Sequence, residues 1–371
     1  MTEMLAGRRA DGAARTARPL HRVGGARRSR PSGADRRRRS PRTAPWLAVM
    51  MSGVVVLAGC GDAGSATDTS GTGTVTIKDC QGKDVAVPAS PRRVVTVDGY
   101  AAQAMARLGL TDRIVGTGYP APFGADQQPF RGELEKLRVL GRTVATTEVV
   151  AAATPDLVLT GFSTFGQAPG SPSDADLETM KAKGISACLG DEKNGGPASL
   201  TSTYDFLTRL GRVFQVEERA EQVIGELRAR EQAVAAKRGS DKPRVLILQD
   251  NPVAGQPLKT SGTVTIAHAL IEAAGGQNAF TDVTSMHADV SPEEVLKRDP
   301  QVIWVISDYP FAKVKGDELL RQVKANPLLA NTSAVKQGRV VGTSQFLVSF
   351  PTPLNLDGLE QLAAGLWAGQ P

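Results

Sequence analysis

The sequence predicts an α/β protein with two Rossmann-like lobes, joined by a single long helix and separated by a ligand cleft. Short runs of β-branched residues alternate with helical stretches along the folded part, which is typical of α/β layers. A proline-free helical stretch, residues 216–237, follows a glycine-rich break at 195–197, and the pattern before it is repeated after it. We therefore predict an N-terminal lobe over 74–196, a helical connector over 197–239 and a C-terminal lobe over 240–371.

The N-terminal segment has the features of a secretory leader. An apolar run from Trp46 to Leu57 follows a cluster of arginines, and it is too short to span the roughly 30 Å hydrocarbon core of a bilayer. The run ends in Leu57-Ala58-Gly59-Cys60, which resembles the lipobox at which bacterial lipoproteins are cut and acylated. We expect a signal peptide over residues 1–59 and an exported protein, anchored to the outer face of the cell membrane by lipidated Cys60. The alternative is a buried helix with an incidental cysteine.

The leader also accounts for the basic character of the chain. The formal net charge is +6, but thirteen arginines and only three acidic residues lie in the first 59 positions. The remainder has more acidic than basic residues, so it offers no broad phosphate-neutralising surface, and nucleic acid is excluded as a partner. Residues 61–73 contain no large apolar side chain, and we predict a flexible tether over 60–73.

The strands and helices of both lobes follow from the same alternation. In the first lobe it predicts strands at 94–97, 114–116, 157–160 and 185–188, and helices at 101–108 and 146–153. In the second lobe it predicts strands at 244–248, 302–306 and 340–341, and helices at 264–274 and 292–298. Gly109 ends the first helix, and Pro155 separates the second helix from its strand.

Each lobe has a glutamate at the start of a short helix that precedes a strand. Glu148 stands two residues after Thr146, and Glu293 two residues after Ser291, at the same distance from the next strand. This placement suits helix capping and a favourable interaction with the helix dipole. Its repetition in both lobes indicates a shared external contact, and both interpretations stay open here.

The stretches Thr74–Val95 and Leu108–Gly116 resemble the class III periplasmic binding proteins that serve iron-siderophore and cobalamin ABC importers. Residues 274–278, residues 326–340 and the two glutamate-bearing helices add to this resemblance, which covers nearly all of 74–367. The resemblance implies a lipid-anchored substrate-binding component of an ABC importer. Such a protein captures a ferric siderophore and delivers it to a permease dimer with its ATPase.

The resemblance also assigns a role to the repeated glutamates. It implies that Glu148 and Glu293 dock onto arginines of the two permease subunits, with Glu294 as the alternative to Glu293. A ligand-sensing surface lipoprotein would use the same cleft, so it remains an alternative function. A monomer is expected in either case.

The loops after the strands are the expected ligand site, because open α/β lobes bind ligands beyond the carboxyl ends of their strands. These loops are rich in aromatic side chains, each of which could instead pack in the core. The candidates are Tyr100, Tyr119, Phe123 and Phe165 in the first lobe, and Lys259, His287, Tyr309, Phe311 and Phe346 in the second. Lys259 and Arg131 are the only obvious cations near the cleft. We therefore expect a bulky, neutral or weakly charged metal chelate, with a corrinoid as the alternative to a ferric siderophore.

Catalytic and metal-binding motifs are absent from the sequence. It has no G-x-S-x-G, H-E-x-x-H or phosphate-binding glycine-rich motif, and no His/Cys/carboxylate cluster with metal-ligand spacing, so we predict neither an enzyme nor a resident cofactor or metal. Cys80 and Cys188 could form a disulfide in an exported protein, or they could be buried free thiols.

Overall fold

The computed structural model describes residues 73–190, 196–310 and 312–367. The predicted signal peptide, Cys60 and the tether up to residue 72 lie outside the described residues, as do Phe311 and the first glycine of the predicted break, Gly195. Within these ranges no helix is both long and apolar enough to cross a membrane.

The first lobe combines an antiparallel hairpin with a four-stranded parallel sheet. The hairpin consists of β1 (Thr74–Lys78) and β2 (Asp84–Pro88). The sheet consists of β3 (Val94–Thr96), β4 (Ile114–Thr117), β5 (Leu157–Thr160) and β6 (Lys183–Ser186), in the order β4-β3-β5-β6. The helices of this lobe are α1 (Gly99–Arg107), α2 (Phe130–Leu134), α3 (Thr147–Ala152) and α4 (Asp174–Met180), with 3₁₀ turns at Thr111–Arg113 and Ala121–Ala125.

Two helices follow the first lobe, α5 (Thr201–Phe214) and α6 (Glu217–Ala235), and they pack against each other. The predicted helix at 216–237 corresponds to α6, and its predicted apolar stripe, which includes Ala220, Val223 and Leu227, is buried. At about 1.5 Å per residue this helix is nearly 30 Å long. The predicted connector therefore contains two packed helices, and a single connecting helix remains a prediction.

The second lobe contains another four-stranded parallel sheet and a two-stranded ladder. The sheet consists of β7 (Arg244–Leu248), β9 (Gln277–Asn278), β11 (Val302–Ile306) and β12 (Val340–Thr343), and the antiparallel ladder of β8 (Leu258–Thr260) and β10 (Ala288–Val290). The helices are α7 (Ile266–Ala273), α8 (Pro292–Arg298), α9 (Gly316–Lys324), α10 (Ser333–Lys336), α11 (Gln345–Val348) and α12 (Asn355–Leu366).

The two parallel sheets have the same topology. If the strands of each sheet are numbered along the chain, both orders are second-first-third-fourth: β4-β3-β5-β6 and β9-β7-β11-β12. The residues of β3, β5 and β11 are all buried, as expected for strands that are covered on both faces by helices. The internal repeat inferred from the sequence is therefore a repeat of topology, and the α/β class is confirmed.

Buried hydrogen bonds connect the C-terminal segment to α1 and α5. Thr352 Oγ1 donates to Gln103 Oε1 over 2.9 Å, and Thr203 Oγ1 donates to Asn355 Oδ1 over 2.8 Å. Side chains from both lobes and from α5, α6, α7 and α12 also share one apolar core. The last part of the chain is thus packed against the first lobe as well as the second.

A disulfide joins Cys80 to Cys188. Cys80 lies in the turn of the β1-β2 hairpin, and Cys188 lies just after β6. The bond therefore attaches the hairpin to the edge of the first-lobe sheet.

Candidate functional site: a cavity at the strand ends

A cavity of about 570 Å³ lies beyond the carboxyl ends of both parallel sheets. Its walls come from loops that follow β3, β4, β5, β7, β11 and β12, as the topology of open α/β sheets predicts. The lining residues on the first-lobe side include Tyr100, Tyr119, Thr143, Val144, Phe162 and Pro169; those from the rest of the chain include Gln249, Ser261, Met286, His287, Tyr309, Gln345 and Phe350.

Asp98 organises the first-lobe wall. Its buried carboxylate accepts hydrogen bonds from the backbone N–H groups of Tyr100 and Gly161 at 3.0 and 2.9 Å, and from Thr160 Oγ1 at 2.7 Å. Burial raises the pKa of Asp98, although these hydrogen bonds act to lower it. Asp98 thereby caps α1 and also fixes the loop after β5. Gly161 permits this arrangement, because a Cβ there would lie 2.5 Å from Tyr100 Cβ.

A cluster of aromatic rings forms much of the cavity surface. Phe162 and Phe350 meet edge to face with centroids 4.5 Å apart, and Tyr100 lies 5.2 Å from Phe350. Phe346 packs against Tyr100 and Tyr119 at 6.5 and 6.4 Å. These separations are in the range at which aromatic pairs attract. Phe346 and Phe350 follow β12, so the cluster joins the two halves of the molecule.

Tyr119 is held in an uncommon backbone conformation, with φ of +40°. Its N–H donates to Thr143 O over 2.8 Å, and its carbonyl accepts from Gly99 N over 3.1 Å. These two bonds hold the residue in the left-handed region, where a non-glycine residue is strained. The ring of Tyr119 is only half-buried and lines the cavity.

The opposite wall is polar. Gln249, directly after β7, is buried, and its Nε2 lies 3.1 Å from Ser261 Oγ and 3.2 Å from His287 Nδ1. Ser261 follows β8 and His287 precedes β10, so the antiparallel ladder brings them together. Burial lowers the pKa of His287, and Lys259 adds to this effect. The imidazole is therefore neutral at neutral pH.

The described residues that line the cavity include no ionised side chain at neutral pH. Among the described residues that line it, none is Lys, Arg, Asp or Glu. Burial raises the pKa of Tyr100, of Tyr119 and of Tyr309, so these phenols remain protonated. No group of three or more His, Cys, Asp or Glu within the described ranges could hold a metal ion. The arrangement is suited to binding an uncharged surface of partly aromatic or aliphatic character.

The sequence profile of the periplasmic binding protein family matches residues 94–345, which is more than half of the chain. The chain belongs to this family. It is a solute-binding protein of the kind that serves ABC importers, and its function is binding rather than catalysis.

Several proteins are similar to this chain over most of its length, two of them in sequence and one in structure. An uncharacterised ABC transporter substrate-binding lipoprotein of Bacillus subtilis, YvrC, is 23% identical over 332 residues, covering 87% of this chain and 96% of that protein. A cobalamin-binding protein of Halobacterium salinarum is 26% identical over 299 residues, covering 78% of this chain and 73% of that protein. The structure of an ABC-type Fe³⁺-hydroxamate transport system from Saccharomonospora viridis matches with a TM-score of 0.65 and 25% identity, covering 79% and 99% of the two chains.

Four of the predicted ligand residues of this binding protein meet at the cavity: Tyr100, Tyr119, His287 and Tyr309. Phe346 is not part of the lining, but its ring packs against those of Tyr100 and Tyr119. Phe311 lies outside the described residues.

Three other predicted ligand residues do not line this cavity. Phe123 is 5% exposed and packs in the main core from a 3₁₀ turn. Phe165 packs beside Leu177 at the edge strand β6, where its ring lies close to Gly184. Lys259 pairs with Asp289, its partner across the β8-β10 ladder, at 3.0 Å, and its side chain is 63% exposed. Arg131, the other predicted cation, pairs with Glu135 on the surface.

The sequence reasoning missed Phe162, Phe350 and Gln249. Phe162 and Gln249 follow β5 and β7 within two residues, so their position after a predicted strand could have identified them. Phe350 follows the short helix α11, which was not predicted, and no pattern in the sequence marks it as a cavity residue.

The repeated glutamates of the binding protein lie at corresponding places in the two lobes. Glu148 and Glu293 are exposed in the first turns of α3 and α8, which lead into β5 and β11, the third strands of their sheets. Glu294 differs, because it pairs with Arg298 at 2.8 Å. A hydrogen bond from its own backbone N–H and one from the Ser291 hydroxyl lower the pKa of Glu293, so it is ionised at neutral pH.

Proposed function

We propose that this binding protein captures a bulky, neutral or weakly charged ferric siderophore of the hydroxamate type and delivers it to the permease of an ABC importer. The observation that carries this proposal is the uncharged aromatic cavity between two lobes of equal topology. A ligand in this place contacts both lobes at once.

The charge of the cavity favours some chelates over others. Transfer of an anion into a site without a cation or a dense set of donors costs several kcal/mol, and no Lys or Arg is among the described lining residues. A strongly anionic catecholate chelate would be penalised for this reason. A neutral chelate with an apolar exterior would instead gain from contact with Tyr100, Phe162 and Phe350.

The names of similar proteins support the class of ligand and leave two candidates. The Saccharomonospora structure is that of an Fe³⁺-hydroxamate transport system, which supports a ferric hydroxamate. The Halobacterium relative is named a cobalamin-binding protein, so a corrinoid is the second candidate.

Two further parts of the proposal concern the partners. Glu148 and Glu293 are proposed to dock onto arginines of the permease, since both are exposed and neither forms an ion pair within the described residues.

Lipidated Cys60 is proposed as the membrane anchor. The lipobox-like sequence supports this proposal, as does the name of YvrC, which is a lipoprotein. Substitution C60A should release the protein from membranes.

A titration of intrinsic fluorescence against a ligand panel tests the proposal. The panel contains a ferric trihydroxamate, a ferric tricatecholate, haemin and cyanocobalamin. We expect saturable quenching by the trihydroxamate, with affinity at least about tenfold above that for the tricatecholate, which corresponds to about 1.4 kcal/mol. Tight binding of cyanocobalamin alone would replace the siderophore with the corrinoid. Absence of binding to all four would refute the proposed ligand class.

A further inference from the structure

Three polar side chains on the second-lobe wall form one hydrogen-bonded unit, which we call the Gln249 relay: Gln249, Ser261 and His287. The β8-β10 ladder pairs Thr260 with Ala288, so Ser261 and His287 lie next to that pair on opposite strands. Gln249 reaches both from the end of β7, with Nε2 at 3.1 Å from Ser261 Oγ and at 3.2 Å from His287 Nδ1. A hydrogen bond of 2.8 Å from Ser285 Oγ to the carbonyl of His287 also fixes the loop before β10.

The chemistry of the amide determines the state of the imidazole. An amide nitrogen can only donate, so the ring nitrogen that faces it, Nδ1, must accept. A neutral imidazole has a single N–H, which must then be on Nε2. Since burial and Lys259 lower the pKa of His287, the ring is neutral at neutral pH, and its tautomer decides which nitrogen can donate.

The opposite orientation of the Gln249 amide is less favourable. Gln249 is 3% exposed, and its hydrogen bonds within the described residues all run through Nε2. Rotation of the amide would remove both of these contacts of Nε2, to Ser261 Oγ and to His287 Nδ1. The observed orientation gives both hydrogens of Nε2 an acceptor, and Gln249 Oε1 is not among the buried described side-chain atoms that lack a hydrogen-bond partner.

We infer that Gln249 holds His287 as the Nε2–H tautomer, so that the ring donates one hydrogen bond to an oxygen of the bound chelate and offers no lone pair to its metal. The inference rests on the proposed function for the presence of a chelate. The ligand it selects has a metal that is already fully coordinated and an oxygen acceptor on its outer surface, such as an amide carbonyl or a hydroxamate oxygen. Gln249 is a positioning residue in this account, and His287 determines specificity.

Nitrogen NMR of the full chain without ligand tests the tautomer directly. A long-range ¹H–¹⁵N spectrum at pH 8 distinguishes protonated from unprotonated ring nitrogens, and loss of signals in H287Q assigns them among the three histidines of the chain. We expect protonated Nε2 and unprotonated Nδ1. In Q249E the carboxylate accepts from Nδ1–H, so the pattern should be reversed. An Nδ1–H pattern in the unsubstituted protein, or an unchanged pattern in Q249E, would overturn the inference.

Affinity for a ferric trihydroxamate tests the hydrogen bond to the ligand. H287L removes the donor and should weaken binding about tenfold, whereas the amide of Gln in H287Q can donate from a similar position and should stay within about threefold. H268Q, which changes the buried histidine of α7, is the matched control and should leave affinity unchanged. Equal losses in H287L and H287Q, or a metal-centred absorption change that disappears in H287Q, would contradict donation. If the unsubstituted protein binds no ferric chelate, the proposed function fails, while the NMR result still decides the tautomer.

Discussion

The two lobes share a strand order but contribute different chemistry to the cavity. The first lobe presents rings held in place by the buried carboxylate of Asp98. The second lobe presents the Gln249 relay, a set of amide, hydroxyl and imidazole groups. The difference shows that the repeated fold determines where the loops meet, whereas the loop sequences determine which groups they present. The loops of the first lobe provide apolar contact, and those of the second lobe provide polar groups that can orient a ligand. The glutamates in the first turns of α3 and α8 are the exception, because we propose the same role, docking onto the permease, for the glutamate of each lobe.

The largest effect is expected from the feature that the lobes share. The double substitution E148A/E293A should reduce ligand uptake by cells by at least roughly tenfold, because two charged contacts to the permease are lost. Ligand affinity of the purified protein should not change. The matched control is E218A/E221A on the exposed face of α6, which should transport normally. Normal uptake by E148A/E293A, or a loss of affinity, would contradict the docking role.

The next effect concerns a feature that only the first lobe has, the Cys80–Cys188 disulfide. The bond closes a loop with a sequence separation of 108 residues, so C80S/C188S should lower the free energy of unfolding by about 2–4 kcal/mol. The midpoint of urea unfolding measures this change. Treatment of the unsubstituted protein with a reductant should lower the midpoint by the same amount. If neither the double substitution nor the reductant changes the midpoint of the oxidised, unsubstituted protein, the bond does not stabilise the lobe.

A smaller effect is expected at the aromatic wall. Y119A removes a half-buried ring from the cavity and should weaken binding of a ferric trihydroxamate about tenfold, or about 1.4 kcal/mol. F165L changes an aromatic residue of the same lobe that lies outside the cavity, and it should bind normally. The comparison of the two variants by fluorescence titration separates cavity contact from general packing. Equal losses of affinity in Y119A and F165L would argue against a contact between the Tyr119 ring and the ligand.

The smallest effect is a pH dependence that should arise in the second lobe. Both histidines of the described residues, His268 and His287, lie there. Burial lowers the pKa of His268 below its ordinary value of 6.5, although Glu272 opposes this shift. Below about pH 6.5 His268 is therefore protonated in the unfolded chain but still neutral in the folded protein. The free energy of unfolding should consequently fall on acidification. Urea midpoints from pH 7.5 to 5 should show a weaker decline for H268Q, and an equal decline would exclude His268 as a source.

The sequence predicted the frame of the molecule well because the central strands of its parallel sheets are short, largely buried and followed by turn residues. β5, β7, α8 and β11 have the predicted bounds, and the repeated placement of Glu148 and Glu293 marked the third strand of each sheet. Continuous apolar runs of this kind are specified locally, by β-branched residues and by the proline or glycine that follows.

The site was predicted less completely because a loop residue can turn its side chain either way. Tyr119 and Phe123 are only four residues apart, yet one ring lines the cavity and the other is in the core. Lys259 appeared to be a free cation, and its partner Asp289 lies thirty residues away, across a ladder that the sequence pattern did not predict. Such pairings depend on tertiary contacts, which periodicity does not encode.

Hydrogen exchange with and without a ferric trihydroxamate tests most directly whether the ligand is held between the two lobes. The account predicts that peptides containing Tyr119 and Phe162 and peptides containing Gln249 and His287 become protected together when the chelate is added. Protection confined to one of these groups, or found only away from all four residues, would contradict the account.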